Sequence, residues 1–413
     1  CSKCHNRFRA DQLIEEALKI EVEGLTPDAM TKLIEDNKLV CQKCQSTLSP
    51  VRMFNMMFNL NVGATGDDVM YLRPESAQSP YLAFKREFKA LREKIPMGLA
   101  VVGKVFRNEI SPRQGFFRLR EFSQAELQIF FNPEKIDEAD NWDEVKDYKL
   151  RLFQCKDKKI KETTCEEANK KLKIPRFYAY HAAKIQQFYV DILKVPKEKF
   201  RFRELSAEER AFYNKMHYDI EVDIETLGGF KEVAGLHYRT DHDLGGHQAG
   251  SKQSMEVISE EKRFVPHVLE LSFGVDRNVW MVMDVFYAED PTNERTLFRF
   301  PPVISPFDVA VYPLVNKEKI PKISEDLFNE LKKEFKAFYD ASGSIGRRYR
   351  RQDEVGTNYG ITIDFDSMEK GLVTLRERDS MQQVILNLKD VKDVLRKLVS
   401  GEMEFRDAGK LKQ

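Results

Sequence analysis

The chain has 413 residues, 67 Lys+Arg against 67 Asp+Glu, and is 42% hydrophobic and 11% aromatic. At about 150 residues per domain that length predicts two or three domains. No run of about 18 apolar residues exists to cross a membrane, the apolar content excludes global disorder, and zero net charge confines any nucleic-acid site to a local patch.

The chain begins at Cys1 rather than Met, which predicts a segment of a longer protein. Six cysteines are too few for a disulfide framework. Four of them form two tight pairs, Cys1-x-x-Cys4 and Cys41-x-x-Cys44, and such pairs deliver the four soft ligands that tetrahedral zinc takes. The reading is a structural zinc element over residues 1–49, in a reducing and hence cytoplasmic setting. Between the pairs, Leu13, Ile14, Ala17 and Leu18 share a helical face, and Thr26-Pro27 opens a second helix as a cap followed by proline.

Residues 50–132 combine strands with polar motifs. Phe84, Phe88 and Leu91 space out a helix over 81–94. Val101, Val102, Val105 and Phe106 form a strand, and a return strand runs over 118–131. Residues 133–200 change character: 151–174 holds eight Lys/Arg against four Asp/Glu, and the stretch reads as a helical, charged insertion with a solvated face. Strands return at 219–225, where Ile220, Val222 and Ile224 alternate with charges. After Gly228-Gly229 come strands at 230–235 and 267–272 and an apolar helix over 274–288. Pro301-Pro302 then marks a boundary. Beyond it, strand 307–314, helix 322–340, strands 361–365 and 372–375 and helix 389–399 predict a separate α/β domain over 300–413. Its Arg347, Arg348, Arg350 and Arg351 fall in a loop opened by Gly343-Ser344. They read as an RNA-contacting or packing patch, or as a solvated turn.

Three blocks carry chemistry. Tyr71-Leu72-Arg73-Pro74-Glu75-Ser76-Ala77-Gln78 is polar where a strand gives way to a helix. Phe106-Arg107-Asn108-Glu109 and Phe116-Phe117-Arg118-Leu119-Arg120-Glu121-Phe122 flank a 110–115 loop, which places Arg107 and Phe122 across a hairpin. An arginine there suits a phosphate, and an aromatic beside it suits a purine face. Val268-Leu269-Glu270-Leu271-Ser272-Phe273-Gly274-Val275-Asp276-Arg277 is a strand breaking into a helix whose N-terminus favours anions.

These blocks resemble the class II glycyl-tRNA synthetases of the dimeric archaeal and eukaryotic type. Residues 342–383 resemble that family's anticodon-binding domain. The resemblance covers about 1–132 and 200–413. It implies an α+β fold: a class II antiparallel sheet flanked by helices over 50–299, a C-terminal α/β anticodon-binding domain, and the small zinc-binding element. It implies that glycine attacks the α-phosphorus of ATP and is then passed to the 3′-terminal adenosine of tRNA(Gly), with Mg²⁺ assisting. By the same resemblance Arg107 and Arg277 hold phosphates and Phe122 stacks on adenine. Asn108, Glu109, Phe117, Arg118, Val233 and Gly274 line the nucleotide site, Glu232 stands near Mg²⁺, and Arg239 is a further candidate nearby. Glu75, Glu126, Glu270 and Ser272, beside Phe122 and Gly274, surround the glycine ammonium. Three close carboxylates repel one another unless a cation joins them, and a substrate without a side chain must be gripped by its charge. Leu271 stands where the family often has Pro.

The family's first motif, a dimer-interface helix and strand, is not in these 413 residues; the whole protein is expected to be a homodimer and this segment alone poorly active. A non-catalytic relative, such as the accessory subunit of mitochondrial DNA polymerase, would lose the phosphate arginines and the ammonium carboxylates, and all are present here. A sister synthetase for a larger amino acid would place apolar residues where these acids stand. His237, His242 and His247 recur every five residues, a spacing that fits neither one helix face nor one sheet face, so no metal cluster is expected of them.

Overall fold

The structure is a computed structural model that describes residues 1–20, 22, 25–110, 112 and 114–412. Of the 110–115 loop, Ser111 and Arg113 lie outside the described residues. The chain divides into two compact units. One holds residues 1–180, 201–222 and 231–280, the other 181–200, 223–230 and 281–413.

An eight-stranded sheet organises the first unit. Its strands are β1 (Met97–Phe106), β2 (Glu121–Phe131), β3 (Lys149–Phe153), β4 (Ile160–Thr164), β5 (Phe200–Glu204), β6 (Met216–Ile224), β7 (Gly229–Thr240) and β8 (His267–Gly274). They lie in the order β1-β2-β8-β7-β6-β5-β3-β4. The β1/β2 hairpin pairs antiparallel from Met97↔Phe130 to Phe106↔Glu121. β8 runs antiparallel to both β2 and β7. The sheet departs from the expected antiparallel arrangement where β3 runs parallel to β5. Helix Gln78–Ala90 buries Tyr81, Phe84 and Phe88 in a core with Met97, Phe130 and Val268. The spacing of its aromatics, one turn apart, is what makes that stripe continuous.

The 133–200 stretch is not simply helical. It contributes the β3/β4 hairpin as well as helices Cys165–Leu172 and Arg176–Gln186. Leu150 and Leu152 are buried between Lys149, Arg151 and Phe153. That two-residue period is a strand signal, which the abundance of lysine obscures. At the N-terminus, helices Ala10–Leu18 and Pro27–Asp36 enclose a small core of Leu13, Ile14 and Ile34. Thr26 Oγ1 caps the second by accepting from the Ala29 N–H at 3.3 Å, the role its place before Pro27 predicts.

The second unit carries a mixed sheet of β9 (Val309–Pro313), β10 (Ala337–Tyr339), β11 (Tyr359–Ile363), β12 (Leu372–Glu377), β13 (Gln383–Asn387) and β14 (Lys410–Leu411). The order is β10-β9-β11-β12-β13-β14, with β9 parallel to β10 and β11. Two expectations are corrected. The 322–340 helix is helix Ile320–Leu331 followed by a turn and β10. The arginine-rich segment read as a loop is helix Ile345–Val355, which Gly356 ends at φ 92°, a left-handed value that favours glycine. Arg295 donates to Asp353 at 2.9 Å and to the carbonyls of Arg378 and Asp379 at 2.7 and 3.0 Å. Among the described residues no helix is long and apolar enough to cross a membrane.

Candidate functional site

The 71–78 run is fastened to β1 by alternating side-chain and main-chain bonds. The Phe106 N–H donates to the Arg73 carbonyl at 2.9 Å, and Arg73 Nε donates to the Lys104 carbonyl at 2.7 Å. Arg107 Nε in turn donates to the Pro74 carbonyl at 3.0 Å. The Arg107 N–H reaches the Arg120 carbonyl at 2.9 Å, extending the hairpin beyond its last strand pair. The Arg107 guanidinium therefore lies 5.3 Å from the centroid of the Phe122 ring. The two residues that the sequence placed across a hairpin are in contact, and among the described residues Arg107 has no carboxylate partner.

A second cluster forms where β8 gives way to helix Val275–Phe286. Arg277 Nη1 stands 3.1 Å from the Glu232 carboxylate, and its Nε donates to the Phe117 carbonyl at 3.3 Å. A Cβ on Gly274 would meet Arg277 Cδ at 3.1 Å, so the bare backbone lets the arginine lie close. Asn278 ties this turn together by donating to the carbonyls of Val233 and Gly274 at 3.0 and 2.8 Å. Arg118 approaches Glu109 at 3.5 Å. Glu109, Phe117, Arg118, Glu232, Val233, Gly274 and Arg277 thus stand in two small contact groups. Asn108 is anchored elsewhere, its N–H donating to the Met56 carbonyl at 2.7 Å and its side chain to that of Asn55 at 3.4 Å.

The third cluster follows from strand parity, since residues two apart share a sheet face. Glu126 opposes Ser272, which opposes Gly235; Gln128 opposes Glu270, which opposes His237. Ser272 Oγ donates to Glu126 Oε1 at 3.2 Å. Among the described residues, Glu126 Oε2 and the Ser76 hydroxyl are buried without a hydrogen-bond partner. Burial, and next the charge of Glu270, push the Glu126 carboxyl up to about 7, with Glu75 adding to the effect. Glu75 is half-buried and accepts from Gln78 Nε2 at 3.4 Å.

Glu270 is differently placed. It accepts from Gln128 Nε2 at 2.7 Å and from Arg239 Nη1 at 3.1 Å. Burial raises its pKa, and Arg239 opposes that. Arg239 also donates to Asp243 at 2.8 and 3.0 Å and lies 4.5 Å over the Tyr213 ring. Expected near the nucleotide acid, Arg239 instead belongs to the carboxylate cluster. Sequence reasoning missed Ser76, Tyr81, Gln128 and Asp243. Tyr81 OH donates to Gln128 Oε1 at 2.9 Å, completing the chain to Glu270. Parity with Glu126 would have found Gln128; nothing local marks Asp243.

The three histidines do not converge. His247 bonds Gln78 at 2.8 Å, His242 stacks on Tyr213 at 5.4 Å, and His237 packs on His217 at 4.0 Å between ring centroids.

At the N-terminus, Cys1, Cys4, Cys41 and Cys44 bring their sulfurs within 4.8 Å of one another. Cys1 Sγ lies 3.4 Å from that of Cys44, and Cys4 Sγ 3.6 Å from that of Cys41. Four thiolates around tetrahedral zinc, at about 2.3 Å each, stand about 3.8 Å apart, so the donor set fits such a metal. The Ser46 backbone N–H is the main influence holding the Cys44 thiol down to about 7, which favours the ligating thiolate.

Residues 58–286 match the family described as tRNA synthetase class II core domain (G, H, P, S and T), and residues 308–398 match the anticodon binding domain. The chain is 38% identical to the glycine–tRNA ligase of Pyrococcus abyssi and 36% identical to that of Thermococcus kodakarensis, in each case over 97% of this chain and 84% of the relative. The glycine–tRNA ligase of Aeropyrum pernix is 34% identical over 99% of this chain and 84% of its own length.

Proposed function

The chain belongs to the glycine–tRNA ligases, class II synthetases that activate glycine with ATP and charge tRNA, and on that premise we propose how its residues divide the work. The glycine carboxylate attacks the α-phosphorus of ATP, pyrophosphate leaves, and the terminal tRNA hydroxyl then attacks the adenylate carbonyl with release of AMP. Such displacement asks for positioning and charge neutralisation more than for a proton-transfer group. Arg107 takes the α-phosphate; its lack of a carboxylate partner supports that role. Arg277 takes the distal phosphates, exchanging Glu232 for them. Phe122 carries adenine on the face that Arg107 leaves open, with Glu109, Phe117, Arg118, Val233 and Gly274 around it, and Asn108 bracing the strand end. Glu232 is half-exposed, and a carboxylate so placed fits Mg²⁺. When bound, that ion neutralises phosphate charge.

The glycine ammonium goes to Glu126, Glu75 and Ser272, while Arg239 holds Glu270 beside them. The observation that carries this reading is Glu126 Oε2, a buried acceptor that no donor among the described residues meets at hydrogen-bond geometry, although the Ser76 hydroxyl lowers the acid's pKa. The four cysteines hold zinc in a structural element over 1–49, ahead of a catalytic domain over 50–299 and an anticodon-binding domain over 300–413. Exposed Met53, Met56, Val69, Met70 and Tyr71 support a homodimer in which a partner covers them. Reduced thiols support a cytoplasmic setting.

The test is pyrophosphate exchange into ATP with glycine, alanine or serine, together with tRNA charging and metal analysis. Exchange with glycine alone, and one zinc per chain, is the expected result. Exchange with none of the three, by this chain and by a form extended at its N-terminus, with tRNA still bound, would replace this reading by a nucleic-acid-binding role.

A further inference from the structure

We infer that His237 is a specificity-determining residue: its imidazole is the wall that denies room to any α-substituent larger than hydrogen. The inference rests on the glycine reading above and deepens it. His237 lies on β7 opposite Glu270, and Gly235, two residues earlier on the same face, lies opposite Ser272. The His237 ring leans back along the strand over Gly235. A Cβ at 235 would collide with His237 Nε2 and stand 3.0 Å from Cε1. The ring therefore fills the volume that a side chain at 235 would claim, next to the hydroxyl that holds Glu126. Strands are about 4.8 Å apart, so Glu126, Ser272 and the imidazole form a row across three strands. An ammonium on Glu126 Oε2 brings the substrate α-carbon into that row.

The alternative duty, satisfying Glu270, does not account for the ring. His237 Nε2 is 3.8 Å from Glu270 Oε1, beyond hydrogen-bond range, and Glu270 already has Gln128 and Arg239. The His237 side chain keeps 17% exposure against 5% for Glu270. The ring is braced from behind. Asn214 Nδ2 lies 3.4 Å from Nδ1, the His217 ring packs at 4.0 Å, and His217 stands 3.0 Å from Asp219, which Arg203 holds at 3.0 Å. Neither His217 ring nitrogen makes a hydrogen bond among the described residues, so the support is packing together with the Asn214 contact, and a supported wall discriminates better than a loose one. Burial, followed by His217 and Arg239, pushes its pKa well below the ordinary value, so the wall is neutral and does not repel the ammonium.

The test measures binding of sulfamoyl-adenosine analogues carrying a glycyl, alanyl or seryl group, with pyrophosphate exchange alongside, for the full chain and its variants. His237→Ala is expected to narrow the glycyl-over-alanyl preference by about tenfold or more, the scale on which one methylene is discriminated. His237→Asn, which retains a polar group facing Asn214, narrows it less and decides the matter if the alanine variant does not fold. Gly235→Ala is expected to lose glycyl-analogue binding, and adding His237→Ala to restore it at least in part. An unchanged preference in a variant that still binds the glycyl analogue overturns the inference, as does a Gly235→Ala protein that binds normally. Wild-type protein that binds none of the analogues would overturn the glycine reading itself.

Discussion

Each of the two units buries a cluster of arginines and carboxylates, and the two clusters are built to opposite ends. In the C-terminal unit, Asp353 accepts from Arg295 at 2.9 Å and from Arg376 at 2.8 and 2.9 Å. Asp290 takes Arg295 Nε at 2.9 Å, and carbonyls take its other donors. Two acids meet two arginines and the network closes on itself. In the first unit, Arg239 joins Glu270 and Asp243, but Glu126 and Glu75 stand beside them with no further arginine in contact among the described residues. Four acids meet one cation, and one buried oxygen has no donor. A closed ionic network is architecture. A network short of positive charge is a site for a cation, because leaving a buried acid unpaired costs more than pairing it with substrate.

The largest effect expected from breaking this contrast is on stability. Asp353→Ala leaves Arg376 buried without its acid and Arg295 with Asp290 alone, and should destabilise the C-terminal unit by about 3–5 kcal/mol, read as a shift of its denaturant-unfolding midpoint. A loss under about 1 kcal/mol would mean the network is not closed in the sense argued. Glu126→Gln should do the reverse: stability unchanged or raised, glycine activation down by about a hundredfold, the scale of a lost charge-assisted bond. A Glu126→Gln protein that exchanges pyrophosphate normally would remove Glu126 from the site.

The same oxygen predicts a pH dependence. Glu126 titrates near 7 in the unliganded fold, and its proton must leave before an ammonium binds. The KM for glycine should therefore rise by about tenfold per unit as pH falls below 7. Without glycine the sign inverts. Its folded value lies above the ordinary 4.5, so this group's contribution is favourable at low pH and is lost as pH rises toward 7. Opposite slopes for substrate affinity and for ligand-free stability, both absent in Glu126→Gln, are the signature to look for.

How far this contrast was legible in the sequence differs between its parts. The Arg107–Phe122 pair was, because both residues flank one short hairpin and local pairing fixes their contact. The four sulfurs were, because each Cys-x-x-Cys turn is a local object. Glu126, Glu270 and Ser272 came from resemblance, and strand parity explains why they meet. What stayed hidden depends on pairs far apart in the chain. Arg239 sits with Glu270 because β7 and β8 are neighbours, and nothing near either residue announces that. Asp353 comes from helix Ile345–Val355, Arg376 from β12 and Arg295 from the short strand Arg295–Phe298, and the sequence displays only that each is charged. The β3/β4 hairpin was hidden for another reason: its two buried leucines are outnumbered by lysines, and composition spoke louder than period.

The finest probe of the contrast is Ser272→Ala. The hydroxyl donates to Glu126 at 3.2 Å, and it lowers that acid's pKa. Its removal should raise the Glu126 pKa further and lift the KM for glycine by up to about tenfold near neutral pH. At pH values well above the titration the carboxylate is ionised in either protein, so the difference should shrink to whatever the hydroxyl contributes by direct contact. A KM defect that is the same at every pH would mean that Ser272 touches the ammonium and does nothing through Glu126. A defect that disappears at high pH would mean that it acts only by holding the acid ready. In the C-terminal network Asp353 faces Arg295 and Arg376 instead, two cations that remain charged at any working pH.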